Sequence, residues 1–271
     1  MKFNSFFYTY KCLQDKERIK SYHKTICKLV LKSDTVVICG SLCGFLAVQA
    51  AGEGASVIHV YEPDVNCYRI AAKAIIKSPL REKIHLHKGD GTSHKEKANV
   101  VIFSPIETML ASTDVAKIAN AMVKNKVITK DTYVMPKKVT TFFQASEYDF
   151  SCMDQQFLIP TFADSENIKN NLISAQSFKE TKLNQINDLK VKFESSFVLG
   201  KSGIINSLIF SSVTSMTDNI LIGKSSFSNQ PIVFPLENPV EVSAGGKYSL
   251  GFEYVMGGGV DKVKVHVRSV S

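Results

Sequence analysis

Residues 36–64, "VVICGSLCGFLAVQAAGEGASVIHVYEPD", constrain this chain more than any other stretch. An apolar β-branched run ends at Gly40, a small-residue helical run opens at Gly44, and a second apolar run ends in Glu62 and Asp64. That order is a strand, a tight turn, a helix and a second strand, which requires a parallel pairing and a crossover. A strand-to-helix glycine turn also lets backbone approach a ligand and leaves helix N–H groups free. Glu62 follows the loop by about 20 residues, where a carboxylate accepts hydrogen bonds from ribose hydroxyls.

The pattern continues on both sides. Residues 12–31 recur at helical spacing through Leu13, Ile19, Tyr22, Ile26, Leu29 and Val30. "VNCYRIAAKAIIKSP" predicts a helix stopped by Pro79, "KIHLHKGD" a third strand, "NVVIFSP" a fourth, and "TDVAKIANAMVKNKVI" a further helix. After Pro136 helical periodicity fades. Short β-rich segments separated by "GKSG", "NP", "AGG" and "MGGG" predict an antiparallel module. "ADSENIKNNLISA" reads as a short helix on an extended connection.

A chain of 271 residues supports one large or two modest domains. No apolar run reaches the ~18 residues of a membrane span. The N-terminal stretch lacks a signal-peptide apolar core. The six cysteines form no C-x-x-C pair, so reduced thiols, no metal site and a cytoplasmic or nuclear setting are expected. The net charge of +8 is spread over scattered lysines. It implies a basic surface with non-specific attraction for nucleic acid at most, because no aromatic-plus-basic motif accompanies it. His23, His59, His85 and His87 occupy helix or strand positions and read as structural.

The loop Gly40-Ser41-Leu42-Cys43-Gly44 departs from the full dinucleotide fingerprint. It is nearer the Gly-x-Gly-x-Gly of S-adenosylmethionine-dependent methyltransferases, with Leu42 in place of the middle glycine. The helix "LQDKERIKSYHKTI" resembles the N-terminal cofactor helix of the protein arginine methyltransferase family through Leu13, Asp15, Arg18, Tyr22 and Ile26. "NVVIFSP" is similar to the strand that leads into that family's acidic loop. "TYVMPKKVT" is similar to its crossing into a barrel, and "YDFSCMDQQFLIP" to the start of its dimerisation arm.

The resemblance implies a Rossmann-like S-adenosylmethionine-binding domain over residues 1–136. It further implies an antiparallel β-barrel-like domain over 137–271, with an inserted arm at about 152–177. S-adenosyl-L-methionine is the implied cofactor, bound by Arg18, Gly40, Gly44, Glu62 and, at the adenine amine, Asp90. A bidentate guanidinium such as Arg18 suits the carboxylate of that cofactor. Glu107 matches the second of two family glutamates that hold a substrate guanidinium. Pro105 stands near the first, and the loop between them is missing. The family's barrel Thr-His-Trp falls near Phe227, Ser228 and Asn229.

Three functions remain open on the sequence. The first is a catalytically impaired homologue that forms a homodimer, or a heterodimer with an active arginine methyltransferase. The second is an active enzyme acting on an Arg-rich protein. The third is a basic binding module without cofactor.

Overall fold

The computed structural model of the chain describes residues 6–270, so the first five residues and Ser271 of the expected domains lie outside it. Two helices lead: α1 (Phe6–Gln14) and α2 (Lys16–Leu29). The sequence predicts one helix over 12–31. The structure breaks it at Asp15, whose extended backbone and side chain, accepting from Arg18 N, start a new helix.

A parallel sheet follows, built from β1 (Thr35–Cys39), β2 (Val57–Glu62), β3 (Ile84–Lys88), β4 (Val100–Phe103) and β5 (Tyr133–Met135). Its crossovers include α3 (Phe45–Gly52), α4 (Val65–Ile76) and α5 (Val115–Lys124). The strand order is β3-β2-β1-β4-β5, so the direction of winding reverses between β1 and β4. In open α/β sheets ligands bind beyond the strand ends at such a reversal.

Alternation along β2 and β3 sorts their side chains. Ile58, Val60 and Ile84 join the apolar cluster of α2 and α3. His59, Tyr61, His85 and His87 take the other face, below the segment that carries His94 and Glu96. His59 Nδ1 lies 3.1 Å from His87 Nε2, and Tyr61 Oη 2.8 Å from His94 Nδ1. Burial holds His59, His87 and His94 below the ordinary imidazole value, and mutual repulsion adds to it. A depressed imidazole stabilises the fold above its unfolded value, and that contribution is lost as pH falls. We therefore expect unfolding free energy to drop as pH goes from ~6.5 to ~5, and His59→Gln to flatten that slope in urea titrations.

The remaining strands are antiparallel. These are β6 (Lys138–Tyr148), the two-residue strands β7 (Ser151–Cys152), β8 (Gln155–Gln156) and β9 (Thr161–Phe162), β10 (Ile168–Lys182), β11 (Lys190–Val198), β12 (Gly203–Ser215), β13 (Leu221–Ile222), β14 (Ile232–Val242), β15 (Lys247–Val255) and β16 (Lys264–Ser269). One sheet runs β10-β6-β12-β14-β9 with β13 against β12, and a second runs β11-β15-β16. Phe143, Phe178, Phe193, Phe210 and Phe252 interlock between them at centroid distances of 4.6–6.0 Å.

The short helix expected within "ADSENIKNNLISA" is reduced to a single 3-10 turn. A short turn at Ser165–Asn167 leads straight into β10, whose pairing with β6 overrides local propensity despite four register shifts. Within the stretch expected as an arm, residues 151–162 form the β7–β8 hairpin and its exposed flank, and 168–177 lie in β10. No helix among the described residues is long and apolar enough to cross a membrane.

Candidate functional site

β1 ends in the glycine turn and β4 ends in Ser104 and Pro105, so both loops meet at the reversal of winding. Gly40 has φ +86°, and a Cβ on it would sit 2.9 Å from Pro105 Cδ and 3.2 Å from Ser104 Cβ. The proline at the position expected for the first acid thus rests on the glycine that should meet a ligand.

The turn itself is left-handed at three successive residues, Leu42 (φ +43°), Cys43 (+55°) and Gly44 (+88°). Leu42 carries a strain of roughly 1 kcal/mol there. It is buried in the apolar cluster that holds Cys12, Tyr22, Ile26 and Leu46. Burial of that side chain returns about 2 kcal/mol, more than the strain. On the other side a Cβ at Gly44 would lie 3.3 Å from the Ala71 carbonyl of α4. The turn is packed between α1 and α4.

Glu62, at the end of β2, is 4% exposed. Its Oε2 accepts from Ser41 N at 3.0 Å and Ser41 Oγ at 2.7 Å, and its Oε1 from Asp64 N at 3.1 Å. Burial pushes its carboxyl upward, against the pull of the Ser41 donors. A carboxylate offers about four acceptor directions, so three of them are occupied by the chain itself.

Arg18 and Tyr22 reach the end of β4 from α2. Tyr22 Oη donates to the Phe103 carbonyl at 2.7 Å. Arg18 Nη2 donates to the Ser104 carbonyl and Nη1 to Ser228 Oγ at 3.0 Å. The guanidinium is 2% exposed, with Nε lacking a hydrogen-bond partner among the described residues. Asp15 completes this corner. Its Oδ2 accepts from Ser225 Oγ, from Phe227 N at 3.1 Å and from Ser228 N at 2.9 Å. The barrel turn at the expected Thr-His-Trp position is therefore fastened to the N-terminal helices by Asp15 and Arg18.

Glu107 precedes a strained turn in which Met109 (φ +66°) and Leu110 (φ +53°) are left-handed. Thr108 Oγ1 donates to the Gln230 carbonyl at 2.7 Å, and Met109 N to Ser212 Oγ at 3.1 Å, which pins the turn to the barrel. Glu107 Oε1 accepts from Ser112 N, while Oε2 is buried without a hydrogen-bond partner among the described residues. Burial pushes the carboxyl up to about 8, although the Ser112 and Thr113 amides pull the other way. The cavity beside it is about 20 Å³, lined by Tyr8, Phe162, Phe227, Asn229 and Gln230 among others. That is room for one water.

Asp90 follows β3 at the same end of the sheet, with Gly91 beside it packed on Cys39 and Tyr61. Its Oδ1 accepts from Thr92 N at 2.9 Å and Thr92 Oγ1 at 2.7 Å, a local Asx turn after β3. The structure thus gathers Arg18, Gly40, Gly44, Glu62 and Glu107 around the strand ends of β1, β2 and β4. Sequence reasoning named Asp15, Ser41 and Ser228 by place but missed their roles: Asp15 as a clamp, Ser41 as the partner of Glu62 and Ser228 as the partner of Arg18. The clamp role of Asp15 had a signal of its own, an acid three residues before Arg18 that can cap a helix.

A Rossmann-like domain followed by an antiparallel barrel-like domain is the fold of the protein arginine methyltransferases. A chain of the Trypanosoma brucei PRMT1 enzyme–prozyme heterotetrameric complex with AdoHcy superposes with a TM-score of 0.75 at 14% identity, over 99% of this chain and 98% of that one. Arabidopsis thaliana protein arginine methyltransferase 10, in an open conformation, superposes with a TM-score of 0.73 at 13% identity, over 92% and 88%. An uncharacterized protein of Methanocaldococcus jannaschii is 27% identical over 261 residues, 95% of each chain. No family model matches the chain.

Proposed function

We propose that this chain is a catalytically impaired relative of the protein arginine methyltransferases that acts by assembling with another subunit and not by methyl transfer. The observation that carries this reading is Glu62, whose carboxylate is held by Ser41 of its own glycine turn. S-adenosylmethionine does not fit the residues as they stand. The ribose acid is taken, Gly40 is covered by Pro105, and Arg18 spends two donors on Ser104 and Ser228. A guanidinium substrate meets a similar obstacle, because Glu107 is largely protonated at neutral pH and borders a cavity of one water.

The projection supports the assembly role. Met153, Phe157, Leu158, Ile159 and Phe162 are all exposed within ten residues, an apolar concentration unusual for a free monomer surface. The T. brucei protein of the same fold is a heterotetramer of an enzyme with a prozyme. The partner proposed here is likewise a chain of this fold that retains a complete acidic loop, with a second copy of this chain as the homotypic form.

Sedimentation velocity should show a dimer at micromolar concentration, and Phe157→Ser with Ile159→Ser should return it to a monomer with unchanged far-ultraviolet dichroism. Mixing with an active arginine methyltransferase from the same cell should change that enzyme's assembly and its methyl transfer to Arg-rich protein. A strict monomer that alters neither would overturn the proposal.

A further inference from the structure

The outer face of the β11-β15-β16 sheet gathers positive charge around a hollow. The register places Lys192 opposite Glu253, and Glu253 opposite Lys264, in one row across three strands. Lys190 lies two residues along the same face, opposite Val255. The turn after β15 curls back and adds Gly258 and Lys262 as a further wall. These residues enclose about 560 Å³, within the range of small-molecule sites.

Charge in the hollow is unbalanced. Glu253 is its single acid, and it pairs with Lys264 at 3.2 Å. Lys190, Lys192 and Lys262 form no ion pair among the described residues. Strand spacing sets Lys192 and Lys264 roughly 10 Å apart, with Lys190 roughly 7 Å from Lys192 along its strand. Four ammonium groups therefore surround one concavity, where the low-dielectric wall strengthens their field.

The wall is fixed. Gly257 N donates to the Leu110 carbonyl at 2.9 Å, Gly259 N to the Ala111 carbonyl at 2.8 Å, and Met256 N to the Leu189 carbonyl at 2.8 Å. With the backbone wall fixed, the entropy lost when an anion enters is confined to the lysine side chains.

We propose that this hollow binds a compact ligand bearing two or more phosphate groups, with Lys190, Lys192, Lys262 and Lys264 taking the phosphate oxygens. A single-stranded nucleic acid fits less well. Such strands need aromatic rings for their bases, and none of the exposed Phe or Tyr side chains lies on this face. Tyr254 lines the hollow but is buried at 5% exposure, and the His266 ring covers Gly251, where a Cβ would meet it at 2.4 Å, so neither offers an open stacking face.

The test is calorimetric titration of the full chain with inorganic tripolyphosphate at near-physiological salt, with Lys192→Ala/Lys262→Ala as the site variant. Lys16→Ala/Lys20→Ala on α2, which removes the same charge elsewhere, is the control. The proposal expects saturable one-to-one binding, weakened at least tenfold by the site pair and less than twofold by the control. Vesicles bearing a bisphosphorylated inositol lipid separate a headgroup source from a free one. Capture of such vesicles, lost in the site pair, assigns the headgroup and leaves the site intact. Equal weakening by both variants, no saturable binding to either probe, or RNA affinity that tripolyphosphate does not displace would overturn it.

Discussion

Glu107→Gln is expected to stabilise the protein, and by an amount that grows with pH. In the fold the carboxyl is raised from 4.5 to about 8 by burial. A raised acid binds its proton more tightly folded than unfolded, so its contribution is intact below pH 4.5 and lost as pH rises through 8. The full penalty at alkaline pH is on the order of 5 kcal/mol. Glutamine keeps an acceptor for Ser112 N and carries no ionisable group, so it removes that penalty. Urea unfolding between pH 5 and pH 9 should show the variant gaining on the wild type by roughly 3–4 kcal/mol across that range. Parallel curves would mean that Glu107 ionises as an ordinary, hydrated carboxylate, and the sealed site would be wrong. The same measurement separates two roles, because a carboxylate poised to hold a guanidinium must be ionised at neutral pH.

Asp15→Ala is expected to be the most damaging single truncation at the site. It removes the acceptor of Arg18 N, Ser225 Oγ, Phe227 N and Ser228 N at a position 1% exposed. Ser228 N keeps Ser225 Oγ at 3.1 Å, so three donors lose their acceptor at about 1 kcal/mol or more each, and a loss of ~3–5 kcal/mol is expected. Because these bonds join the second helix to the barrel turn, amide exchange should accelerate over residues 223–231 before it does so in the parallel sheet. Asp15→Asn, which keeps an acceptor, should lose less than half as much. A loss under ~1 kcal/mol for the alanine variant would show that the turn is held by other contacts.

The alternation of apolar runs with helical stretches made the parallel sheet legible. The turn-rich texture after Pro136 did the same for the antiparallel part. Both rest on periodicities that a single chain displays. Two elements were read wrongly for a physical reason. Asp15 looked like a helix-face residue because spacing does not reveal which side chain folds back on the backbone. "ADSENIKNNLISA" read as a short helix, but only Ser165–Asn167 makes a helical turn, because the pairing of the rest with β6 is a long-range fact.

The candidate residues were legible by type and place, but their condition was not. Whether Glu62 faces a ligand or Ser41 depends on a left-handed turn of three residues, and Leu42 in place of the middle glycine was the sequence's sign of a departure there. The burial of Glu107 follows from the approach of the 225–230 turn, more than a hundred residues away in sequence.

The account stands on the acid of the second strand being occupied by its own loop. Calorimetric titration of the intact chain with S-adenosylhomocysteine at millimolar concentration tests this most directly, with Ser41→Ala run beside the wild type. We expect no saturable heat from the wild type, and measurable binding, if any, only after Ser41 is removed. Stoichiometric binding to the wild type that vanishes in Glu62→Ala would contradict it.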